Sequence, residues 1–161
     1  MHDGIGTMVI DEKLEELREA TIDDVGGIIQ LIEPFENDGT LVKRDRTEIE
    51  RDIASYTVIE HDGVIFSCAA LHPYLEAQTA EMAAVTVSPK SQGTGDGEKL
   101  LKRIEQRARA LGCKTLFVLT TRTMHWFIKR GFQPVSPDWL PEARKAKYNW
   151  DRKSQVLVKQ L

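Results

Sequence analysis

Apolar residues recur at helical spacing in several parts of the chain. Between residues 22 and 35 they stand three or four positions apart, which predicts a helix, and Thr21 with Asp24 resembles a capping box at its start. Shorter helices are predicted over "DRTEIERDIASY" and "TMHWFIKRG". The clearest pattern is "GEKLLKRIEQRARALG", where Gly112 can end the helix. Its apolar face carries Leu100, Leu101, Ile104, Ala108 and Leu111.

Apolar runs without helical spacing predict strands. The segment "YTVIEHDGVIFSCAALH" is typical of a hairpin with Asp62-Gly63 in its turn. Further strands are predicted over "TAEMAAVTVS", "TLFVLTT" and "SQVLVKQL", and a short one near "LREA". The order is strand, two helices, an antiparallel run of strands, helix, strand, helix, strand. This order predicts a mixed α/β (α+β) fold and excludes a regular βαβ alternation.

Composition adds only a few limits to this picture. The 161 residues suffice for one core, and 41% hydrophobic with 29% charged residues is typical of a soluble globular domain. The net charge of −3 disfavours nucleic acid as a partner, and no apolar run is long enough to span a membrane. Cys68 and Cys113 form no C-x-x-C motif, and no secretory signal is visible. We therefore expect a cytoplasmic protein.

Three glycines within five residues, in "SQGTGDGEKLL", stand directly before the clearest helix. Free N–H groups and the helix dipole make such a helix start an anion site, and phosphate is the first candidate. The stretch "GTGDG" does not match the G-x-G-x-x-G of dinucleotide-binding folds, and no Gly-Lys-Ser/Thr of a P-loop follows. The alternative is a glycine-rich turn between strand and helix that binds no ligand.

The loop and its surroundings resemble the acyl-CoA loop of the GNAT acetyltransferases, whose pattern is Q-x-x-G-x-G. Gln92, Gly93, Thr94, Gly95 and Gly97 match this loop, between the strand "AAVTVSP" and an amphipathic helix. The resemblance implies that backbone N–H groups of the loop hold the CoA pyrophosphate, with acetyl-CoA as the co-substrate. It also implies the GNAT fold, a mixed and mostly antiparallel central sheet flanked by helices.

A closer resemblance extends over nearly the whole chain. The segments "EMAAVTVSP", "LFVLTTRTMHWFIKRGF", "LPEARKAKYNWDRKSQVLV" and "LVKRDRTEIERDI" are similar to the acetyltransferase domain of the bacterial N-acetylglutamate synthase family. This resemblance implies acetyl transfer to the α-amine of L-glutamate, the first step of arginine biosynthesis. It implies an acetyltransferase domain over residues 17–161 and, in residues 1–16, the end of a preceding amino-acid-kinase-like domain. A homo-oligomeric full-length protein is expected.

The resemblance also implies roles in proton transfer. Glu81 occupies the position of the family's proposed general base, and burial would help it accept a proton near neutral pH. Thr120 matches a small hydroxyl position for the acid that protonates the leaving thiolate, and Tyr148 is a second candidate. The alternatives are a solvated strand-end carboxylate for Glu81 and a packing role for Tyr148.

The resemblance also implies that the strand before the loop pairs with the pantetheine arm of CoA. Backbone N–H groups near Ala84 and Val85 are candidates for polarising the thioester carbonyl, and Val87 continues the CoA-binding stretch. Ordinary strand pairing would use the same groups. Asp96 departs from the family loop, since a carboxylate weakens phosphate binding if it faces the ligand and costs little if it faces water.

Two basic segments are the candidates for holding the substrate carboxylates. Arg152 and Ser154 precede the last strand, and Lys43 with Arg44 lies in "LVKRD"; the resemblance puts both segments around the glutamate pocket. No cluster with metal-ligand spacing is present, so we expect no metal. Two other functions stay open: a GNAT enzyme with another amine acceptor, and a non-catalytic CoA-binding or oligomerisation module.

Overall fold

The computed structural model describes residues 15–91 and 93–161. Seven strands form one sheet in the order β1-β2-β3-β4-β5-β7-β6. The strands are β1 (Glu15–Glu19), β2 (Tyr56–His61), β3 (Val64–Tyr74), β4 (Thr79–Val87), β5 (Thr115–Thr120), β6 (Gln133–Val135) and β7 (Gln155–Gln160). The α-helices of the described residues are α1 (Val25–Asn37), α2 (Arg46–Arg51), α3 (Asp96–Ala110), α4 (Met124–Ile128) and α5 (Glu142–Lys145).

The pairing of the strands confirms the predicted fold class. β1 is antiparallel to β2, and β7 is antiparallel to both β5 and β6. β4 and β5 are parallel to each other. The sheet is therefore mixed and mostly antiparallel, as the resemblance implies.

The predicted N-terminal tail lies almost entirely outside the described residues, as does Gln92. β1 includes Glu15 and Glu16, which the sequence pattern assigns to the tail, and pairs them with His61 and Glu60 of β2. The first strand therefore begins two residues before the predicted boundary of the domain.

The β2–β3 hairpin and the start of α1 show how local chemistry sets the elements. Asp62 and Gly63 have φ values of 51° and 82°, which matches the predicted two-residue turn. The predicted apolar face of α1 began too early, because Ile22 lies in a 3-10 turn before the helix and is exposed. The Thr21 N–H donates to Asp24 Oδ2 at 2.7 Å, which supports the predicted capping interaction.

The helix α3 has the predicted apolar face, with one correction. Leu100, Leu101, Ile104 and Ala108 are buried, whereas Leu111 follows the end of the helix and is exposed. Gly112 has a φ of 84°, the left-handed conformation that commonly ends a helix.

The chain divides into two compact units. The first contains the described residues up to Ala69 together with Ala84–Arg103, and the second contains Ala70–Ala83 together with Ile104–Leu161. The second has an apolar cluster of Phe117, Leu140, Tyr148, Val156 and Val158. No helix in residues 15–91 and 93–161 combines the length and apolarity needed to cross a membrane.

Candidate active site

The glycine loop of the first unit joins β4 to α3 through two successive turns. The Ser91 N–H donates to the Ser88 carbonyl at 2.9 Å, and the Thr94 N–H donates to the Ser91 carbonyl at 3.2 Å. Gly93 and Gly95 have φ values of 86° and 83°, and a Cβ added to either would meet no atom within 4 Å. Backbone conformation, not crowding, is therefore what requires glycine here.

The loop ends at the start of a fifteen-residue helix, α3. The first N–H groups of a helix have no partner inside the helix, and together with the helix dipole they favour an anion. Gly93, Thr94 and Gly95 are exposed, and Gly97 is partly exposed. The loop is therefore open to solvent on the side where an anion would approach.

The sequence left open whether the Asp96 carboxylate faces the ligand or the solvent, and in the structure it faces neither. Its side chain is fully shielded from solvent and contacts Thr94, Ser67 and His61. Burial would raise the pKa of this carboxyl, but the hydrogen bonds with Thr94, His61 and Ser67 outweigh burial and lower it. Asp96 is thus an ionised group that points into the first unit.

One group of potential metal ligands occurs within residues 15–91 and 93–161. Ligand atoms of Glu15, His61 and Asp96 lie within 4.8 Å of one another. Lys99 Nζ lies 2.6 Å from Glu15 Oε1, so a cation from the protein already neutralises one of the carboxylates. The contacts describe an ion-pair cluster beside the loop.

The part of β4 in the first unit has an unusual backbone at Ala84, whose φ is 54°. The Ala84 carbonyl accepts a hydrogen bond from Thr86 Oγ1 at 3.0 Å and another from Cys68 Sγ at 3.5 Å. In a trans peptide the C=O and the following N–H point in opposite directions, so the Val85 N–H points away from those two side chains. Val85 and Val87 are partly exposed, while Ala84 and Thr86 are buried.

In the second unit, Glu81 is buried on β4 and paired with Arg144 of α5. Arg144 Nε lies 2.7 Å from Glu81 Oε1, and Nη2 lies 3.4 Å from Oε2. The register of β4 on β5 ends at Glu81↔Phe117, although β5 continues to Thr120. The predicted base is therefore the last β4 residue in this ladder, and an arginine holds its carboxylate.

The surroundings of this ion pair are aromatic. The ring centroids of Tyr74 and Phe117 are 6.0 Å apart, and those of Phe117 and Trp139 are 5.7 Å apart. Burial works against the charged form of Arg144, but the hydrogen bond and charge of Glu81 raise the pKa of its guanidinium. Burial and the nearby Glu81 charge raise the pKa of Tyr74. The pair is therefore a charged contact in a largely apolar setting.

Both predicted acid residues make local contacts. Thr120 Oγ1 lies 2.8 Å from Thr123 Oγ1 and accepts the Thr123 N–H at 3.0 Å, which shapes the turn before α4. The Tyr148 hydroxyl donates to the Ser154 carbonyl at 2.7 Å, and its ring belongs to the apolar cluster. The contacts of Tyr148 fit the packing alternative.

The basic candidates fall in different units. Arg152 and Ser154 are partly buried in the second unit, where Ser154 accepts the Tyr148 hydroxyl. Lys43 is exposed in the first unit, and the Arg44 N–H donates to Glu36 Oε2 at 2.8 Å. The side chain of Arg44 donates to the Val42 carbonyl.

Arg144 is the residue that sequence reasoning missed. It lies in "PEARKAK", where three cations stand close together. Its helix has four residues, too few for a periodic pattern to show which side chain faces inward. A buried strand carboxylate requires a partner, and this requirement is the only signal the sequence offered.

Comparison with known proteins connects this arrangement to acetyl transfer. The model of the acetyltransferase (GNAT) family matches residues 14–132. Among curated relatives, the amino-acid acetyltransferases of Ralstonia nicotianae and Azotobacter vinelandii are 65% and 53% identical, over 100% and 99% of this chain. The chain spans 36% and 37% of their lengths.

A solved structure shows the same fold. N-acetylglutamate synthase from Neisseria gonorrhoeae, complexed with coenzyme A and N-acetyl-glutamate, superposes with a TM-score of 0.88 and 42% sequence identity. The superposition covers 91% of this chain and 35% of that one.

Proposed function

Because the chain belongs to the GNAT acetyltransferase family, we propose that it transfers the acetyl group of acetyl-CoA to the α-amine of L-glutamate. The products are N-acetyl-L-glutamate and CoA. The names of the curated relatives support an amino acid as the acceptor, and the ligands in the Neisseria complex support glutamate. In the cell this reaction would be the first step of arginine biosynthesis, in the cytoplasm, within a longer and oligomeric protein.

Glu81 is the observation that carries the proposal. Burying a carboxylate on an apolar strand is costly. A role in removing a proton from the attacking ammonium would explain why Glu81 lies there. Arg144 contacts both carboxylate oxygens, but a carboxylate has about four lone-pair positions. Glu81 can therefore accept a proton, directly or through one water molecule, while Arg144 fixes its orientation.

The first unit supplies the groups for acetyl-CoA. Apart from the Thr94 N–H, which donates to the Ser91 carbonyl, the N–H groups of Gly93–Gly97 and of the start of α3 suit the pyrophosphate. Val85 and Val87 lie on the partly exposed side of β4, where the pantetheine arm would run. The Val85 N–H, directed away from the buried side of Ala84, is the candidate donor to the thioester oxygen.

The reaction balances with these groups. The ammonium of glutamate gives one proton to Glu81, and the free amine attacks the thioester carbon to form a C–N bond. The oxygen charge that develops is stabilised by backbone N–H groups. The C–S bond then breaks, the nitrogen gives up a second proton as it becomes an amide, and the CoA thiolate takes up one proton, so that one proton remains on Glu81 for release to water. Thr120 stays the candidate for donating that proton, whereas the Tyr148 hydroxyl is bonded to a backbone carbonyl.

The two carboxylates of glutamate need cations, and the candidates are arginines and a lysine. Arg152 with Ser154 and the Lys43–Arg44 pair are proposed from the resemblance. Arg144 is a further candidate, and its guanidinium already contacts Glu81, the proposed base. Arginine suits this role because its planar fork matches a carboxylate with two parallel hydrogen bonds.

A thiol-release assay with acetyl-CoA and each of the twenty amino acids tests the function, with the acetylated product identified by mass spectrometry. We expect L-glutamate to be acetylated fastest. Faster acetylation of glutamine or aspartate would show a different acceptor. Binding of CoA without turnover of any amino acid would show a binding module, and no binding of CoA would exclude the proposal.

A further inference from the structure

Asp96 is buried within an otherwise exposed segment. Its side chain has no solvent contact, whereas the preceding residues Gly93, Thr94 and Gly95 are exposed. Removing a carboxylate from water is costly unless both of its oxygens find hydrogen-bond partners. The position of Asp96 at the first turn of α3 therefore depends on the groups that surround it.

Both oxygens have partners outside α3. Thr94 Oγ1, in the loop, lies 2.9 Å from Oδ1 and 2.5 Å from the Ser91 carbonyl oxygen, so its single proton is shared between these two acceptors. Ser67 Oγ, on β3, donates to Oδ2 at 3.1 Å, and His61 Nε2, at the end of β2, lies 3.3 Å from the same oxygen. One carboxylate thus connects the glycine loop to the β2–β3 hairpin.

None of these three contacts with the Asp96 carboxylate uses a backbone N–H group of the loop. The contacts of Thr94, Ser67 and His61 with the Asp96 carboxylate are all made by side chains. A negative charge near this loop would by itself weaken the binding of a phosphate. The negative charge of Asp96 therefore does not explain why an aspartate occupies this position, whereas its contacts with the loop and the hairpin do.

We infer that Asp96 is a positioning residue for CoA. Its inward carboxylate holds Gly93–Gly97 against the hairpin, so that the N–H groups of the loop keep the geometry that the pyrophosphate needs. The inference rests on the proposed function and extends it to a side chain that points away from the ligand. Groups that bind an anion through backbone N–H atoms require such support, because a displacement of about 1 Å can cost 10²-fold.

Asp96→Asn tests the inference, because the two explanations predict opposite signs. The substitution keeps the size of the side chain but replaces one accepting oxygen with an NH2 group. If Asp96 positions the loop, the Kd for CoA rises about tenfold or more. If Asp96 acts on CoA only as a like charge, its removal lowers the Kd. Calorimetric titration of the 161-residue chain with CoA, at one fixed salt concentration, gives the sign.

Two further variants make the result specific. Ser67→Ala removes one partner of Asp96 by deleting a single oxygen atom, and it should also raise the Kd for CoA. Asp62→Asn removes the same charge from the exposed turn of the same hairpin, where Asn tolerates the positive φ, and it should leave the Kd unchanged. The KM for glutamate should change less than twofold in all three variants, which separates a defect in the loop from general destabilisation.

The outcomes separate the inference from the proposed function. If the unaltered chain fails to bind CoA, the proposed function fails and the inference with it. If the chain binds CoA, but folded Asp96→Asn and Ser67→Ala bind it equally well or more tightly, the inference alone is overturned. If Asp96→Asn does not fold, the Kd of Ser67→Ala decides: a raised Kd supports the inference, and an unchanged one overturns it.

Discussion

Glu81 and Arg144 form a charged pair whose two members have separable roles. Glu81→Gln keeps the shape of the side chain but cannot accept a proton, so kcat should fall by about 10²–10⁴. The affinity for CoA should stay near that of the unaltered chain, because the proposed CoA loop does not contain Glu81. Steady-state kinetics and CoA titration measure the two quantities. Glu142→Gln, an exposed acidic residue in the helix of Arg144, is the matched control.

The pH dependence of the same variant distinguishes catalysis from structure. The acidic limb of the kcat/KM profile should move or disappear in Glu81→Gln, since that limb reports the protonation of the base in the free enzyme. A variant that retains full kcat and an unchanged profile would show that the Glu81–Arg144 pair is structural.

Arg152 tests the assignment of the acceptor site. Arg152→Lys keeps the positive charge but loses the fork that matches a carboxylate, so the KM for glutamate should rise about tenfold. The KM for acetyl-CoA should change little. Lys153→Ala removes a neighbouring exposed cation and serves as the control. Equal effects on the KM values of both substrates would contradict a specific role of Arg152 in glutamate binding.

Single residues show where sequence reasoning stops. The candidate base could be predicted because an acidic residue in an apolar strand is conspicuous. Its partner could not, because Arg144 is 63 positions away and stands among other cations. The direction of Asp96 was equally hidden, since His61 and Ser67 lie 35 and 29 positions away. Contacts between distant segments leave no local pattern.

The glycine loop depends on backbone conformation that other residues rarely adopt. Gly95 has a φ of 83° with open space around its missing Cβ, so Gly95→Val introduces strain rather than a clash within the chain. We expect a loss of about 1–2 kcal/mol in the free energy of unfolding, and CoA affinity reduced at least tenfold because the new side chain blocks close approach. Urea unfolding and calorimetry measure these changes.

Gly26 provides the control for this substitution. It also has open space within 4 Å of an added Cβ, but it lies in α1, where alanine is favoured. Gly26→Ala should therefore raise the free energy of unfolding by roughly 0.5–1 kcal/mol without altering CoA affinity. An unchanged CoA affinity in folded Gly95→Val would contradict the assignment of the loop.

The start of α1 is tied to β1 and β2 by an ion cluster that makes stability depend on pH. Arg18 donates to the two oxygens of Asp24 at 2.7 and 2.9 Å, and to Glu60 Oε1 at 2.6 Å. The hydrogen bond from Arg18 is the main reason that the pKa of Asp24 is lowered. A lowered pKa means that the folded state binds the proton less readily than the unfolded state.

The sign of the pH effect follows from this difference. The contribution of Asp24 is fully present above about pH 4, the ordinary pKa of aspartate, and is lost as the pH falls through its lower folded value. The free energy of unfolding should therefore decrease between pH 5 and pH 2.5, and less steeply in Asp24→Asn. At pH 7 the variant should lose about 1.5–3 kcal/mol. Parallel slopes in urea titrations of both proteins would contradict this account.

The elements that follow local rules were predictable, and those set by distant pairing were not. The hairpin turn at Asp62-Gly63 and the helix end at Gly112 require particular backbone angles, which the residue types reveal. The placement of β7 between β5 and β6 has no such signal. Its register, Thr115↔Gln160, joins residues 45 positions apart. The resemblance to a family predicted a mixed, mostly antiparallel sheet but not this strand order.

At the scale of the whole chain, each of the two compact units contains one cysteine, so the reactivity of each thiol can measure the opening of its own unit. Cys68 belongs to the first unit and Cys113 to the second, and both side chains are buried. Burial raises the pKa of Cys68 to about 12 and also raises that of Cys113. At pH 8, a thiol of pKa 12 is ionised to about one part in ten thousand, compared with about a quarter for a thiol of pKa 8.5.

The intact chain should therefore give no rapid reaction with a disulfide reagent such as DTNB, and two thiols per chain after unfolding in urea. In Cys113→Ala, Cys68 is the one thiol that can react with DTNB, and the rate of its slow reaction measures the opening of the first unit. CoA binds the folded loop of that unit in our proposal, so CoA at about 100 times its Kd should slow the reaction by about 100-fold. In Cys68→Ala, the rate at Cys113 gives the corresponding measure for the second unit.

Reaction of Cys68 within seconds in the absence of urea would contradict its burial, and a rate unaffected by saturating CoA would contradict the assignment of CoA to the first unit.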